Sequence, residues 1–154
     1  LTAIERINAL PDAPPIVVLT TFDADQYVLR ALRLGAAGFL VKSTPPESLI
    51  GLVRVAAEGH TVLSPVAARR LVTVSTDSRS ARDRARQQLD ALTEREVEVL
   101  GCVGAGLSNA QIAARLHLSE ATIKGYVSRV LEKLGCTNRT QAGLIAHEAG
   151  VAWR

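Results

Sequence analysis

The feature that most limits what this chain can fold into is a short pattern that occurs three times between residues 91 and 154. Leu92-Thr93 with Val97, Leu107-Ser108 with Ile112, and Leu118-Ser119 with Ile123 each place an apolar residue, a hydroxyl, and a second apolar residue four positions after the hydroxyl. A hydroxyl at an N-cap accepts a hydrogen bond from an otherwise unpaired amide of the first turn, and the apolar pair closes over that turn. Thr93, Ser108 and Ser119 are therefore read as helix caps. Glu96 and Gln111 stand where a side chain reaches back to the cap amide, and Asn138 with Gln141 repeats that box for a fourth helix. Gly104 or Gly106 ends the first of these helices, His117 and Leu118 make the turn after the second, and Gly135 ends the third. The prediction is an all-α domain of four short helices over residues 91–154.

The second and third of these helices are joined by a turn of the length found in a helix-turn-helix unit. On the third, Ile123, Val127, Val130, Leu131 and Leu134 recur at helical spacing and form one apolar stripe. At ~100° per residue the opposite face presents Ala121, Lys124, Gly125 and Ser128, flanked by Thr122 and Arg129. Small residues and cations suit close approach to a polyanion. Lys124 fits guanine O6 or N7, or a phosphate, and the sequence leaves both open; Thr122, Ser128 and Arg129 are assigned to phosphates. Glu132 and Lys133, near the helix end, are read as solvent-facing charge.

Overall charge does not decide the matter. The net of +3 divides into an excess of one basic residue in each of residues 1–74, 75–90 and 91–154, which tolerates a polyanionic partner without requiring one. Apolar residues make up 47% and aromatics 3%, so the core must be built mainly from Ala, Val, Leu and Ile. Cys102 and Cys136 lack metal-ligand spacing, and His60, His117 and His147 are isolated, so neither a metal site nor a disulfide framework is expected. No apolar run approaches the ~20 residues of a membrane span and the first residues lack signal-peptide order, which predicts a reduced, cytoplasmic chain with no membrane partner. No nucleophile elbow, P-loop, dinucleotide fingerprint or zinc motif is present, so no enzyme is expected. The chain contains no Met and begins at Leu1, which predicts either a fragment or a start at an unusual codon.

Residues 75–90 are polar up to Leu89 and are read as a solvated linker in which Arg79 to Gln88 retain some helical preference. Before them the pattern alternates. Ile16-Val17-Val18-Leu19 and Gly38-Phe39-Leu40-Val41 suit strands buried on both faces, and between them Asp25 to Leu34 suits a helix closed by Gly35. Thr44-Pro45-Pro46-Glu47 reads as a capped helix start leading through Ile50 and Val53 to Gly59, and Ser64-Pro65 begins a further helix to about Val72. This alternation predicts an α/β unit over residues 1–74, with parallel strands and crossover helices.

Three segments carry a resemblance: Leu92-Thr93-Glu94-Arg95-Glu96-Val97, Gly106-Leu107-Ser108-Asn109-Ala110-Gln111-Ile112-Ala113, and Leu118-Ser119-Glu120-Ala121-Thr122-Ile123-Lys124, with Lys133-Leu134-Gly135 after them. Together residues 91–154 resemble the LuxR-type helix-turn-helix of the NarL/FixJ response regulators. The resemblance implies sequence-specific binding of double-stranded DNA by a homodimer that regulates transcription. The third helix would enter the major groove, and Thr140 to Glu148 would contribute to the dimer contact. Two positions depart from the family pattern: Gly125 in a variable base-facing slot, and Tyr126 where the family usually has His. A mid-helix Gly costs ~1 kcal/mol relative to Ala, so it needs a reason, either close backbone approach to DNA or relaxed base reading. Tyr126 is read as a packing residue with its hydroxyl at the rim.

Residues 1–74 resemble the second half of a flavodoxin-like receiver domain of the same regulators. Thr20 ends one strand, Phe39 occupies the switch-aromatic position on the next, and Lys42 follows that strand. In a complete receiver the resemblance implies that the Lys pairs with a phosphoryl group on an Asp, while Thr and the aromatic reposition. The acceptor strand lies upstream of this pattern, so Thr20, Phe39 and Lys42 are read as a remnant of the switch. No cofactor is expected here, Mg²⁺ belonging only to a complete receiver, and no phosphorylation. A sensor histidine kinase is a partner only for a complete receiver, and RNA polymerase is a further candidate. Without strands 1 to 3, the strand ending at Thr20 should have an unpaired apolar edge. Two other readings stand beside this one: a protein-interaction module without DNA binding, and a promoter-reading module similar to region 4 of a sigma factor. Lys133-Leu134-Gly135 and the receiver-like neighbour argue against the second.

Overall fold

The computed structural model describes residues 1–21, 25–65, 67, 68 and 79–152, and the chain forms two compact units, Leu1–Asp77 and Ser78–Arg154. In the first, α1 (Thr2–Asn8), β1 (Val17–Thr20), α2 (Asp25–Arg33), β2 (Gly38–Val41), α3 (Pro46–Ala57) and β3 (Val62–Leu63) build a sheet of order β1-β2-β3. Both pairings are parallel, with Val17 opposite Gly38 and Gly38 opposite Val62. Helix α2 packs on β2 and α3 packs beside β3. The expected α/β alternation is thus present, with α1 and β3 added to it. Asn8 donates through Nδ2 to the Leu34 carbonyl at 2.8 Å, tying α1 to the end of α2.

Two local expectations need correction. Strand β1, read as buried on both faces, lies at the end of the sheet order, with Val17 and Val18 half-buried and Leu19 exposed. A strand with a neighbour on one side cannot be covered as β2 is. Helix α3 is capped by Pro45 rather than Thr44 and has no side-chain cap bond. The ring of Pro46 drives Pro45 out of the α region, to φ −55° and ψ 141°, and so moves the cap one residue forward. Beyond Ser64, whose Oγ accepts from the Ala67 amide at 3.2 Å, most of the helix expected to run to about Val72 lies outside the described residues.

The second unit comprises α4 (Arg79–Leu89), α5 (Glu94–Gly104), α6 (Asn109–Leu116), α7 (Glu120–Leu134) and α8 (Arg139–Ala149). Residues 79–89, read above as a solvated linker, are a helix packed on α8, with Ala85 buried. Its Ala and Arg content favours helix, and Ala85 and Leu89 are enough to seat it. Val99, Leu100, Ile112, Ile123, Val130 and Leu134 form the centre of one apolar cluster shared by α5, α6 and α7, with Ala142 and Ala146 of α8 closing it. Burying each large aliphatic side chain contributes ~1.5–3 kcal/mol, so this cluster fixes how the four C-terminal helices sit together. No helix among the described residues is long and apolar enough to cross a membrane.

Candidate nucleic-acid interface

Helix α7 is held at both ends and along one side. Ser119 Oγ accepts from the Thr122 amide at 3.1 Å, and Gly135 closes the other end at φ 63°, a left-handed conformation that glycine adopts without a Cβ penalty. Ile123, Val130 and Leu134 are buried, with Val127 and Leu131 packed against the same cluster. The turn from α6 runs through His117 at φ 55°, after which the Leu118 amide bonds back to the Ala113 carbonyl at 2.9 Å. Arg95 of α5 donates to the last α6 carbonyl, Leu116, at 3.1 Å, and Arg139 donates to the Leu107 carbonyl at 2.6 Å. Arginines therefore fasten both ends of α6, the helix that precedes the turn. Burial lowers the pKa of Arg139.

The caps divide into two kinds. Thr93 with Glu96 and Ser108 with Gln111 form complete, reciprocal boxes. Asn138 accepts from the Gln141 amide at 3.1 Å, and Gln141 Oε1 accepts from the Thr137 amide at 2.7 Å, so the donor just ahead of the cap is satisfied as well.

On the outer side of α7 the chain brings together the residues singled out in the sequence. Ala121, Thr122, Lys124, Ser128 and Arg129 are exposed and Gly125 is half-buried. Thr122 Oγ1 lies 2.8 Å from Ser119 Oγ, so it also serves the cap. Ser128 Oγ donates to the Lys124 carbonyl at 3.0 Å. Arg129 lies with its guanidinium carbon 4.5 Å from the centre of the Tyr126 ring, and its Nε is 3.9 Å from Glu96 Oε1. Tyr126 itself packs against the core cluster.

Glu96 is the residue whose role the sequence understated. Its carboxylate is 3% exposed. Oε2 accepts from the Thr93 amide at 2.8 Å and from Lys133 Nζ at 2.7 Å. The Lys133 bond, then the Thr93 amide, outweigh the burial that favours the neutral acid and hold the pKa at about 2. Lys133, read from the sequence as solvent-facing, is therefore a tie between α7 and α5. The box motif announced the local half of this arrangement, but Lys133 stands 37 residues away and only the packing of α7 on α5 brings it in.

In the first unit, the Lys42 amide donates to the Thr20 carbonyl at 2.7 Å, so the remnant Lys and Thr sit at neighbouring strand ends. Phe39 is buried at 3% exposure on β2. Among the described residues no group of His, Cys, Asp or Glu is placed to hold a metal ion.

The family described as bacterial regulatory proteins, luxR family, matches residues 90–146. Transcriptional regulatory protein YdfI of Bacillus subtilis is 36% identical over 151 residues, covering 98% of this chain and 68% of the relative. The DNA-binding transcriptional activator DevR/DosR of Mycobacterium tuberculosis is 36% identical over 144 residues, covering 94% of this chain and 64% of the relative. A nitrate/nitrite response regulator protein homolog of Haemophilus influenzae is 35% identical over 133 residues, covering 86% and 60%. The chain spans about two-thirds of the length of such curated relatives.

Proposed function

Because this chain belongs to the NarL/FixJ family of response regulators with a LuxR-type helix-turn-helix, we propose that it is a sequence-specific regulator of transcription that binds double-stranded DNA as a dimer through α7. The observation that carries this reading is the two-sidedness of α7. Its inner side is fixed by Ile123, Val130 and Leu134, while its outer side offers small or cationic groups around Lys124, with the acidic Glu120 and Glu132 nearer the two ends of the helix. A helix so anchored presents a pre-formed surface to the major groove, and ordering entropy is not spent on binding. Residues 91–154 form the DNA-reading domain in this proposal, and residues 1–74 the receiver-derived part. Thr140 to Glu148 of α8 would contribute to the dimer contact; Thr140, Ala142 and Ala146 face the unit's own core, so residues such as Leu144 and His147, half-buried and exposed, are the ones that could reach a partner.

In this reading the chain is not an enzyme and acts in the cytoplasm, with RNA polymerase as a further partner. A sensor histidine kinase would engage only a complete receiver. Among the described residues no group of acidic side chains is placed to hold Mg²⁺, and Thr20 and Lys42 supply no carboxylate. No phosphorylation of residues 1–154 is proposed.

Selection of duplexes from a random pool by the 154-residue chain, with affinity followed against salt, tests the proposal. Enrichment of an inverted repeat is expected, with log K falling by about 0.9 per phosphate contact for each tenfold rise in salt. Lys124→Ala should weaken binding roughly fivefold or more, whether its partner is a base edge or a phosphate. If neither protein binds any duplex, even at low salt, the reading is wrong and an interaction module without DNA takes its place.

A further inference from the structure

The two departures from the family pattern, Gly125 and Tyr126, meet at one side chain. A Cβ built on Gly125 would find open space except for Arg129 Nη1 at 3.8 Å, so nothing in the packing of this chain requires glycine there. Side chains on a helix lean toward its N-terminus and cover the turn before their own Cα. Arg129 stands four residues after Gly125, and its guanidinium occupies the region that a side chain at 125 would border. The guanidinium carbon lies over the Tyr126 ring, 4.5 Å from its centre. Glu96 Oε1 stands 3.9 Å from Nε, on the inner edge of the fork. Glu96 cannot follow Arg129 outward, because its other oxygen is already bonded to Thr93 and Lys133. Arg129 is thus held from two sides while its side chain remains 53% exposed.

We propose that Arg129 is the base-reading residue that stands in for the missing side chain at Gly125, and that Tyr126 and Glu96 are positioning residues that aim its terminal nitrogens at a guanine. This rests on the major-groove reading of α7 and replaces the phosphate role that the sequence alone assigns to Arg129. The chemistry follows from the shape of the group. With Nε 3.9 Å from the Glu96 carboxylate and the guanidinium carbon over the Tyr126 ring, Nη1 and Nη2 are left in this proposal to act as a fork. Such a fork matches the O6 and N7 acceptors of guanine, which an ammonium cannot engage in the same way. The glycine then has its reason: without a side chain at 125, nothing from that position lies between the fork and the groove.

The test uses the full chain on the duplex it selects. A guanine in that site should exist whose replacement weakens the wild-type complex roughly tenfold or more, and Arg129→Lys, which keeps the charge and loses the fork, should bring that ratio close to one. Glu96→Gln keeps the acceptor of the capping box, and Tyr126→Leu keeps apolar bulk. Each should lower the guanine ratio severalfold in the wild-type background and leave it unchanged in the Arg129→Lys background. A merely structural role would weaken all sequences alike in both backgrounds. If Arg129→Lys weakens every duplex equally, or leaves the guanine preference intact, Arg129 is a phosphate contact or a bystander and this inference is wrong while the DNA-reading proposal stands. A wild-type chain that selects no duplex overturns both.

Discussion

At Glu96 a single carboxylate joins the start of α5 to the far end of α7. It completes the Thr93 box, accepts the Lys133 ammonium at 2.7 Å, and stands 3.9 Å from Arg129. Its pKa is lowered from 4.5 to about 2, so the folded chain binds this proton less readily than the unfolded chain does. A group shifted in that direction contributes stability that is fully present above pH 4.5 and is lost as the pH falls toward 2. Thermal melts of the wild type should therefore lose stability through that window, and Glu96→Gln should flatten the part of the loss that comes from this residue. At neutral pH Glu96→Gln should cost about 1–2 kcal/mol, the loss of a charge-assisted bond whose neutral replacement still caps the helix. Identical pH profiles for the two proteins would mean that the Lys133 pair contributes nothing to folding. Half of this was legible in the sequence, because the box is a local motif. The Lys133 half was not, since a lysine at the end of an amphipathic helix looks the same whether it faces water or a buried acid on another helix.

Helices announce their ends more clearly than their neighbours. The hydroxyl caps at Thr93, Ser108 and Ser119 could be read from spacing because each acts within its own first turn. The cap of α3 fell one residue later than expected because consecutive prolines restrict the backbone more strongly than a threonine attracts it. Helix α4 showed only as a helical preference because Ala85 and Leu89 are enough to seat an otherwise polar segment, and β3 was hidden because a two-residue strand has no pattern of its own. The glycines separate in the same way, by what lies across from them. A Cβ on Gly104 would stand 2.7 Å from Ala146 Cβ and 3.0 Å from Ala152 Cβ, so α5 and the end of the chain approach too closely for any side chain. One on Gly125 would meet only the far end of Arg129 at 3.8 Å. Both substitutions to alanine gain ~1 kcal/mol of helix propensity, but at 104 the overlap costs about 1–3 kcal/mol. Chemical denaturation should therefore give opposite signs: Gly125→Ala stabilises by about 1 kcal/mol, and Gly104→Ala destabilises on the order of 1 kcal/mol. Stabilisation at both positions would show that α5 and α8 can move apart without penalty.

The two units differ in how much apolar surface they leave in water. Among the described residues the first buries Ile4, Val28, Leu32, Phe39, Leu40 and Val62, and the second Val99, Leu100, Val103, Ile112, Ile123, Val130 and Leu134. Among the described residues the large apolar side chains that stay exposed, including Leu19, Tyr27, Ile50 and Val53, all belong to the first. Leu19 stands on the strand at the sheet edge, where the sequence pattern led us to expect an apolar edge; Ile50 and Val53 share one face of α3. That face was not legible in advance, because Ile and Val in a helix after a strand normally read as core. Each large side chain left in water forgoes ~1.5–3 kcal/mol of burial, so the first unit has less to set against its conformational entropy. Hydrogen exchange followed by mass spectrometry on the whole chain should then find the amides of β1 and β2 opening at lower free energy than those of α5 and α7, with protection at least roughly tenfold weaker. The comparison belongs to helix interiors and to the strand amides that bond to a neighbouring strand, where the difference reports on opening rather than on local exposure. Equal protection in both units would mean that the exposed face of α3 and the edge of β1 are covered in solution, and a second copy of the chain would be the first thing to look for by sedimentation.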